Sequence, residues 1–227
     1  MGNEKYGSPG DIESRVLNVI KGTIPLATFM EVTTAYFRPA DVLKVERGKK
    51  TITDSSKNFA FYGFLLGLVY APLLAFQAIG ISFELAIITA IIALLLYPVL
   101  FIIMGLLMSA IFFAVAKILG GKGAFSDQTY IFSLIEGAIV LFNLPLMLLM
   151  QIPVIGWIFY LPSIAINLYG IYSIYRLMKE VHELSTLKSI IVVIVPFILL
   201  FLAIAIFFIV LFSSLLLSLA IAGSYGR

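Results

Sequence analysis

The chain has 227 residues, the length of a single domain, of which 62% are hydrophobic, with a mean hydropathy of +1.11. A soluble domain is roughly 45–50% apolar, and here the excess is gathered into runs of the length that crosses a bilayer, which excludes an ordinary water-soluble globule. The absence of cysteine removes disulfides, thiolate metal sites and cysteine nucleophiles, and the net charge of +3 acquires meaning only once it is located.

Residues 1–11 are polar where the apolar core of a leader would begin, so no cleavable signal peptide is expected. Residues 1–58 read as an N-terminal segment carrying most of the charge. Ser8-Pro9 followed by Asp11 suits a helix start. Ile12, Val16, Val19 and Ile20 then recur at helical spacing against Asp11, Glu13, Arg15 and Lys21. Leu26, Phe29, Met30, Val32, Tyr36 and Phe37 continue the apolar pattern. Such an amphipathic segment either lies in the membrane interface or packs on the ends of the spans. The basic cluster Lys44, Arg47, Lys49, Lys50 and Lys57 is diluted by Asp41, Glu46 and Asp54, and reads as a topology signal rather than a lipid or nucleic-acid site.

The apolar runs predict five spans, at about 59–79, 85–117, 130–150, 155–178 and 189–221, making residues 59–227 an all-α polytopic transmembrane bundle. From Leu85 to Ala116 there is no charge over 32 residues, about 48 Å of helix at roughly 1.5 Å per residue. Either one helix fills this run or a hairpin turns at Pro98. Charge decides. Lysine plus arginine number nine in 1–58, none in 80–84, two in 117–129, none in 151–156 and three in 176–188. With five spans every basic segment falls on the side of the N-terminus, which the positive-inside rule places in the cytoplasm, with the C-terminus outside.

Gly63, Gly67, Ala71 and Ala75 place one small residue every four in the first span, the pattern that lets helices approach closely in lipid. Ser214, Ser218 and Ala222 repeat it in the last span. Packing within the monomer is the expected use, and a homo-oligomer face stays open. Glu136 is the only acidic residue deep in a span. A carboxylate there is costly unless paired or protonated. It is either a proton or headgroup site, or a structural acceptor bonded to Arg176 or a tyrosine. Asn143 and Asn167 are the other intramembrane polar candidates. His182 is the only histidine, and no metal or catalytic motif is found, so neither cofactor nor enzyme activity is expected. Gly120-Gly121-Lys122-Gly123 lacks phosphate-loop spacing and reads as a helix C-cap turning at the membrane surface.

Several motifs together resemble the Yip family, the Ypt/Rab-interacting-protein domain of five-span membrane proteins. They are Phe37-Arg38-Pro39-Ala40-Asp41-Val42-Leu43, the turn Gly120, Gly121, Lys122, Gly123, Ala124, Phe125, then Ile152-Pro153-Val154-Ile155-Gly156, and Glu180 to Lys188 with His182 and Ser185. They cover about 37–200. Where relatives often carry a tyrosine and a proline in the third span, this chain has Leu134 and Ala138. The resemblance implies a five-helix bundle with a cytoplasmic N-terminal region, and a non-enzymatic organiser or adaptor related to vesicle traffic. Its partners would be membrane lipids and a cytoplasmic protein, a small GTPase in eukaryotic relatives. Few Asn and Gln, no Cys and much Ile suit a thermophile, hence a prokaryotic plasma membrane. The competing expectation is a small transporter or lipid scramblase with a polar path near Glu136. Nucleic-acid binding is not expected.

Overall fold

The computed structural model describes residues 29–225, with side chains through 214 except at 200 and 203. Among these residues there are seven α-helices and no strand. Two short helices come first, α1 (Phe29–Phe37) and α2 (Pro39–Glu46). Five long ones follow: α3 (Ile52–Ile79), α4 (Phe83–Ile118), α5 (Phe125–Leu149), α6 (Tyr160–His182, led in by a 3-10 turn at Gly156–Phe159) and α7 (Thr186–Tyr225). All five long helices are long and apolar enough to cross a membrane, the arrangement of an integral membrane protein. The candidate helix near residues 11–21, the side chains of Ser218 and Ala222, and Arg227 lie outside the described residues.

The predicted spans are present, and most of the helices outrun them, whereas α6 begins only at Tyr160, after the predicted start at 155, where a 3-10 turn stands instead. α3 begins at Ile52, seven residues before the apolar run, because Thr51 and Asp54 form a capping box: the Asp54 amide bonds the Thr51 hydroxyl, and the Thr51 amide bonds the Asp54 carboxylate at 2.9 Å. α5 begins at Phe125 and takes in Ser126, Asp127, Gln128 and Thr129, which the sequence assigned to a connection. Asp127, Gln128 and Thr129 are buried, since they face neighbouring helices rather than water. The 32-residue apolar run is one helix. α4 passes through Pro98 without a turn, its N-terminus capped by the Ser82 hydroxyl accepting from the Leu85 amide.

α3 and α4 form an antiparallel hairpin, and α3, α5 and α6, with the C-terminal part of α4, build the centre. Phe59, Tyr62, Phe112, Leu134, Ile135, Leu177 and Met178 are fully buried there. Apolar burial drives little association in lipid, so close packing must hold these helices. The small-residue stripe supplies it on α3. A Cβ on Gly63 would stand 2.7 Å from Pro98 Cα, and one on Gly67 3.3 Å from the Ala93 carbonyl. Ala71 is buried on the same face and Ala75 partly so.

α1 and α2 pack on α5 and α6 through Val32, Ala35, Tyr36, Val42 and Leu43, all buried. For the described part of the N-terminal segment, docking on the bundle holds rather than lying free in the interface. The Gly48 amide bonds Asp127 Oδ1 at 2.8 Å, the Lys122 amide bonds the His182 carbonyl at 3.1 Å and Lys188 Nζ bonds the Leu119 carbonyl at 2.8 Å. These ties gather α2 and the α4–α5 and α6–α7 connections at one end of the bundle. The connections at the other end, 80–82 and 150–155, contain no lysine or arginine.

Candidate functional site

At the basic end, Gly120 ends α4 in the left-handed region (φ +89°), a conformation glycine adopts without strain. The Gly121 amide bonds the Ala116 carbonyl at 2.8 Å and the Gly120 amide that of Lys117 at 3.0 Å, which is a Schellman C-cap. The turn is therefore a cap and not a phosphate loop. It leans on the end of α6: a Cβ on Gly121 would meet His182 Nδ1 at 2.8 Å, and one on Gly123 would meet Val181 at 2.5 Å. Gly120, Gly121, Gly123 and His182, more than fifty residues apart in the chain, thus form one cluster. Ser185 is exposed just before α7, where its carbonyl accepts from the Ser189 amide.

His182 is fully buried. Its Nε2 lies 2.8 Å from Gln128 Oε1, while Gln128 Nε2 donates to the Ser109 carbonyl at 2.7 Å, and Ser109 Oγ bonds Thr129 Oγ1 at 2.7 Å. Nδ1 has no partner and faces the glycine turn. Outside the bundle, Lys122 Nζ bonds Glu183 at 3.0 Å and holds its carboxyl below the usual carboxylate range. Gln128, Ser109 and Thr129 escaped the sequence reading. The available signal was Ser109, a polar side chain isolated within an apolar run.

Of the intramembrane candidates, Asn143 and Asn167 share Ser163, while Glu136 and Arg176 stand apart from them and from each other. Asn143 Nδ2 donates to the Ile139 carbonyl at 2.8 Å and its Oδ1 accepts from Ser163 at 2.6 Å; Asn167 Nδ2 donates to the Ser163 carbonyl at 2.8 Å. Arg176 does not reach Glu136. Its Nη1 donates to the Phe37 carbonyl at 3.0 Å, across to the break between α1 and α2. Beside it Tyr36 donates to the Ile166 carbonyl at 2.6 Å, and burial together with Tyr169 pushes its hydroxyl up to about 12. Asn58 and Ser133 make a further buried pair at 3.0 Å.

Glu136 is the exception. It stands near the middle of α5, half-buried, and among the described residues it makes no hydrogen bond or ion pair. The expectation of a bond to Arg176 or a tyrosine is overturned: Arg176 reaches Phe37 instead, and no described tyrosine hydroxyl bonds this carboxyl. Glu136 lines a cavity of about 150 Å³ between α4, α5, α6 and α7. The remaining walls are apolar: Phe101, Phe112, Phe132 and Phe197, with Met104, Met108, Gly105 and Ile174. Among the described residues no three His, Asp or Glu side chains come together as a metal site.

The chain matches no family model, no curated protein and no solved structure.

Proposed function

We propose that the protein is a non-enzymatic membrane organiser or adaptor, of the kind the Yip resemblance implies, with its basic end facing the cytoplasm of a prokaryotic cell. The observation that carries this reading is how the intramembrane polar side chains are used. Asn58, Asn143, Ser109, Gln128 and Arg176 are bound to neighbours, which favours a packed scaffold over a conduit. A transport path needs polar groups that line continuous space, and the cavity wall that carries Glu136 is otherwise apolar. The docked α1–α2 unit offers the surface for a partner: Met30 and Val45 are 73% and 57% exposed on helices whose other sides are buried.

The test combines two measurements on protein reconstituted in liposomes. Solute flux and scrambling of a labelled lipid should equal those of empty vesicles. A photo-crosslinker at residue 30 or 45, introduced in the native membrane, should trap one defined protein at stoichiometric yield, and a crosslinker at exposed Leu95 on α4 should not. Flux or scrambling above empty vesicles that disappears in Glu136→Gln would replace the organiser with the transporter.

A further inference from the structure

The cavity beside Glu136 has a composition that selects a ligand. Of its nine lining residues only Glu136 is polar, and the walls carry four phenylalanine rings and two methionine sulfurs. A carboxyl group surrounded by such walls is poorly solvated, and it is ionised there only with a positive charge beside it. No side chain among the described residues supplies one, since Arg176 is held by Phe37. A metal cation does not fit, because hard cations require several oxygen ligands and the cavity offers a single carboxyl group. An organic ammonium does. It pairs with the carboxylate while its apolar body rests on aromatic faces, which attract cations through their quadrupoles, and on polarisable thioethers.

Size narrows the class further. At about 150 Å³ the space is that of one aromatic ring or a short branched alkyl group; a protein cavity of roughly this volume lined by apolar side chains holds benzene. The exposed lining residues place an opening at the side of the bundle. Phe112 and Phe132 form the buried back wall, while Met104 and Phe197 are 47% and 40% exposed on the apolar outer surfaces of α4 and α7. A ligand dissolved in the bilayer therefore enters laterally between these two helices.

We propose that this cavity is a binding site for an organic ammonium group on a small apolar body, with Glu136 as its counter-ion and Met104 and Phe197 at its mouth. Binding here does not depend on whether the chain acts as an organiser, and failure of either reading leaves the other standing.

The probe is 4-fluorobenzylammonium, with 4-fluorotoluene as its uncharged counterpart, followed by fluorine NMR on the purified full chain in a maltoside detergent. The ammonium should bind saturably at one per chain. Glu136→Gln should weaken it by on the order of tenfold or more, the loss expected for a desolvated charge partner, and leave 4-fluorotoluene unchanged. Met104→Trp, at a half-exposed position that tolerates size, should obstruct both probes. Adding phosphatidylethanolamine then separates two sources of the same chemistry: displacement of the probe assigns a lipid headgroup, and its persistence assigns a free amine. Equal ammonium affinity in wild type and E136Q, with unchanged circular dichroism, overturns the proposal, as does the absence of saturable binding. Should E136Q fail to fold, undiminished binding to M104W overturns it as well.

Discussion

Pro98 Cα lies 2.7 Å from the point where a Cβ on Gly63 would stand, so α3 and α4 touch backbone to backbone at the level of a proline. Two features that are each unfavourable for a soluble helix are thereby joined. Proline removes an amide donor from its own helix, and the facing glycine lets the α3 backbone come up against Pro98 Cα, the Tyr97 carbonyl and Phe101 Cβ.

Packing at this crossing predicts an order of sensitivity. Gly63→Ala should destabilise the protein in detergent by about 1–3 kcal/mol, the usual range for overpacking. Gly67→Ala should cost less, because its nearest neighbour stands at 3.3 Å rather than 2.7 Å. Gly67→Leu should again be strongly destabilising. Unfolding in mixed detergent provides the measurement, and equal stability of Gly63→Ala and wild type would show that the hairpin separates there without penalty.

The buried network at the basic end makes a second prediction. Gln128→Leu deprives His182 Nε2 and the Ser109 carbonyl of a partner at once. It should cost about 1–3 kcal/mol, the penalty for stranding buried polar groups. Ser109→Ala should cost less, because Gln128 retains the Ser109 carbonyl and Thr129 retains the Phe125 carbonyl. The reverse order, measured by the same unfolding assay, would mean that the hydroxyl and not the amide organises the network.

Arg176 ties α6 to the α1–α2 break from outside, so its loss should act locally. Arg176→Ala should raise amide hydrogen exchange across residues 29–46 while the protection of α3–α5 stays as in wild type. Tyr36→Phe, which removes the bond to Ile166, should do the same and cost roughly 0.5–1.5 kcal/mol. Uniform loss of protection along the chain would show that α1 and α2 are cooperative with the bundle.

Glu136 has no partner to strand among the described residues, and its replacement should therefore not weaken the fold. Glu136→Leu should leave the unfolding midpoint unchanged or higher, since an unpaired carboxyl among phenylalanines is replaced by an apolar side chain. A loss of more than about 1 kcal/mol would reveal a hydrogen bond to this carboxyl.

Topology can be read with single cysteines, because the chain has none of its own. A membrane-impermeant maleimide should label Lys122→Cys from one side and Val154→Cys from the other, with Lys122 on the cytoplasmic side. Labelling of both from the same side would contradict five crossings.

The span count, the continuity of α4 through Pro98 and the use of the glycine stripe were legible in the sequence. Hydropathy and charge are properties of consecutive residues, and a helix that must satisfy its own backbone in lipid leaves few alternatives. The ends of the helices were not. Thr53 to Lys57 and Ser126 to Thr129 are polar, and whether a polar turn lies in water or against another helix depends on what is packed over it. The same holds for the candidate site. Glu136, Asn143, Asn167 and Arg176 are alike in hydropathy terms, yet Asn143 meets Ser163, Arg176 meets Phe37 and Glu136 faces a cavity. The His182–Gln128 and Arg176–Phe37 bonds span 54 and 139 residues of chain. Only the tertiary structure decides such pairings, because side-chain partnership across helices is fixed by their rotation and register, which no local pattern encodes.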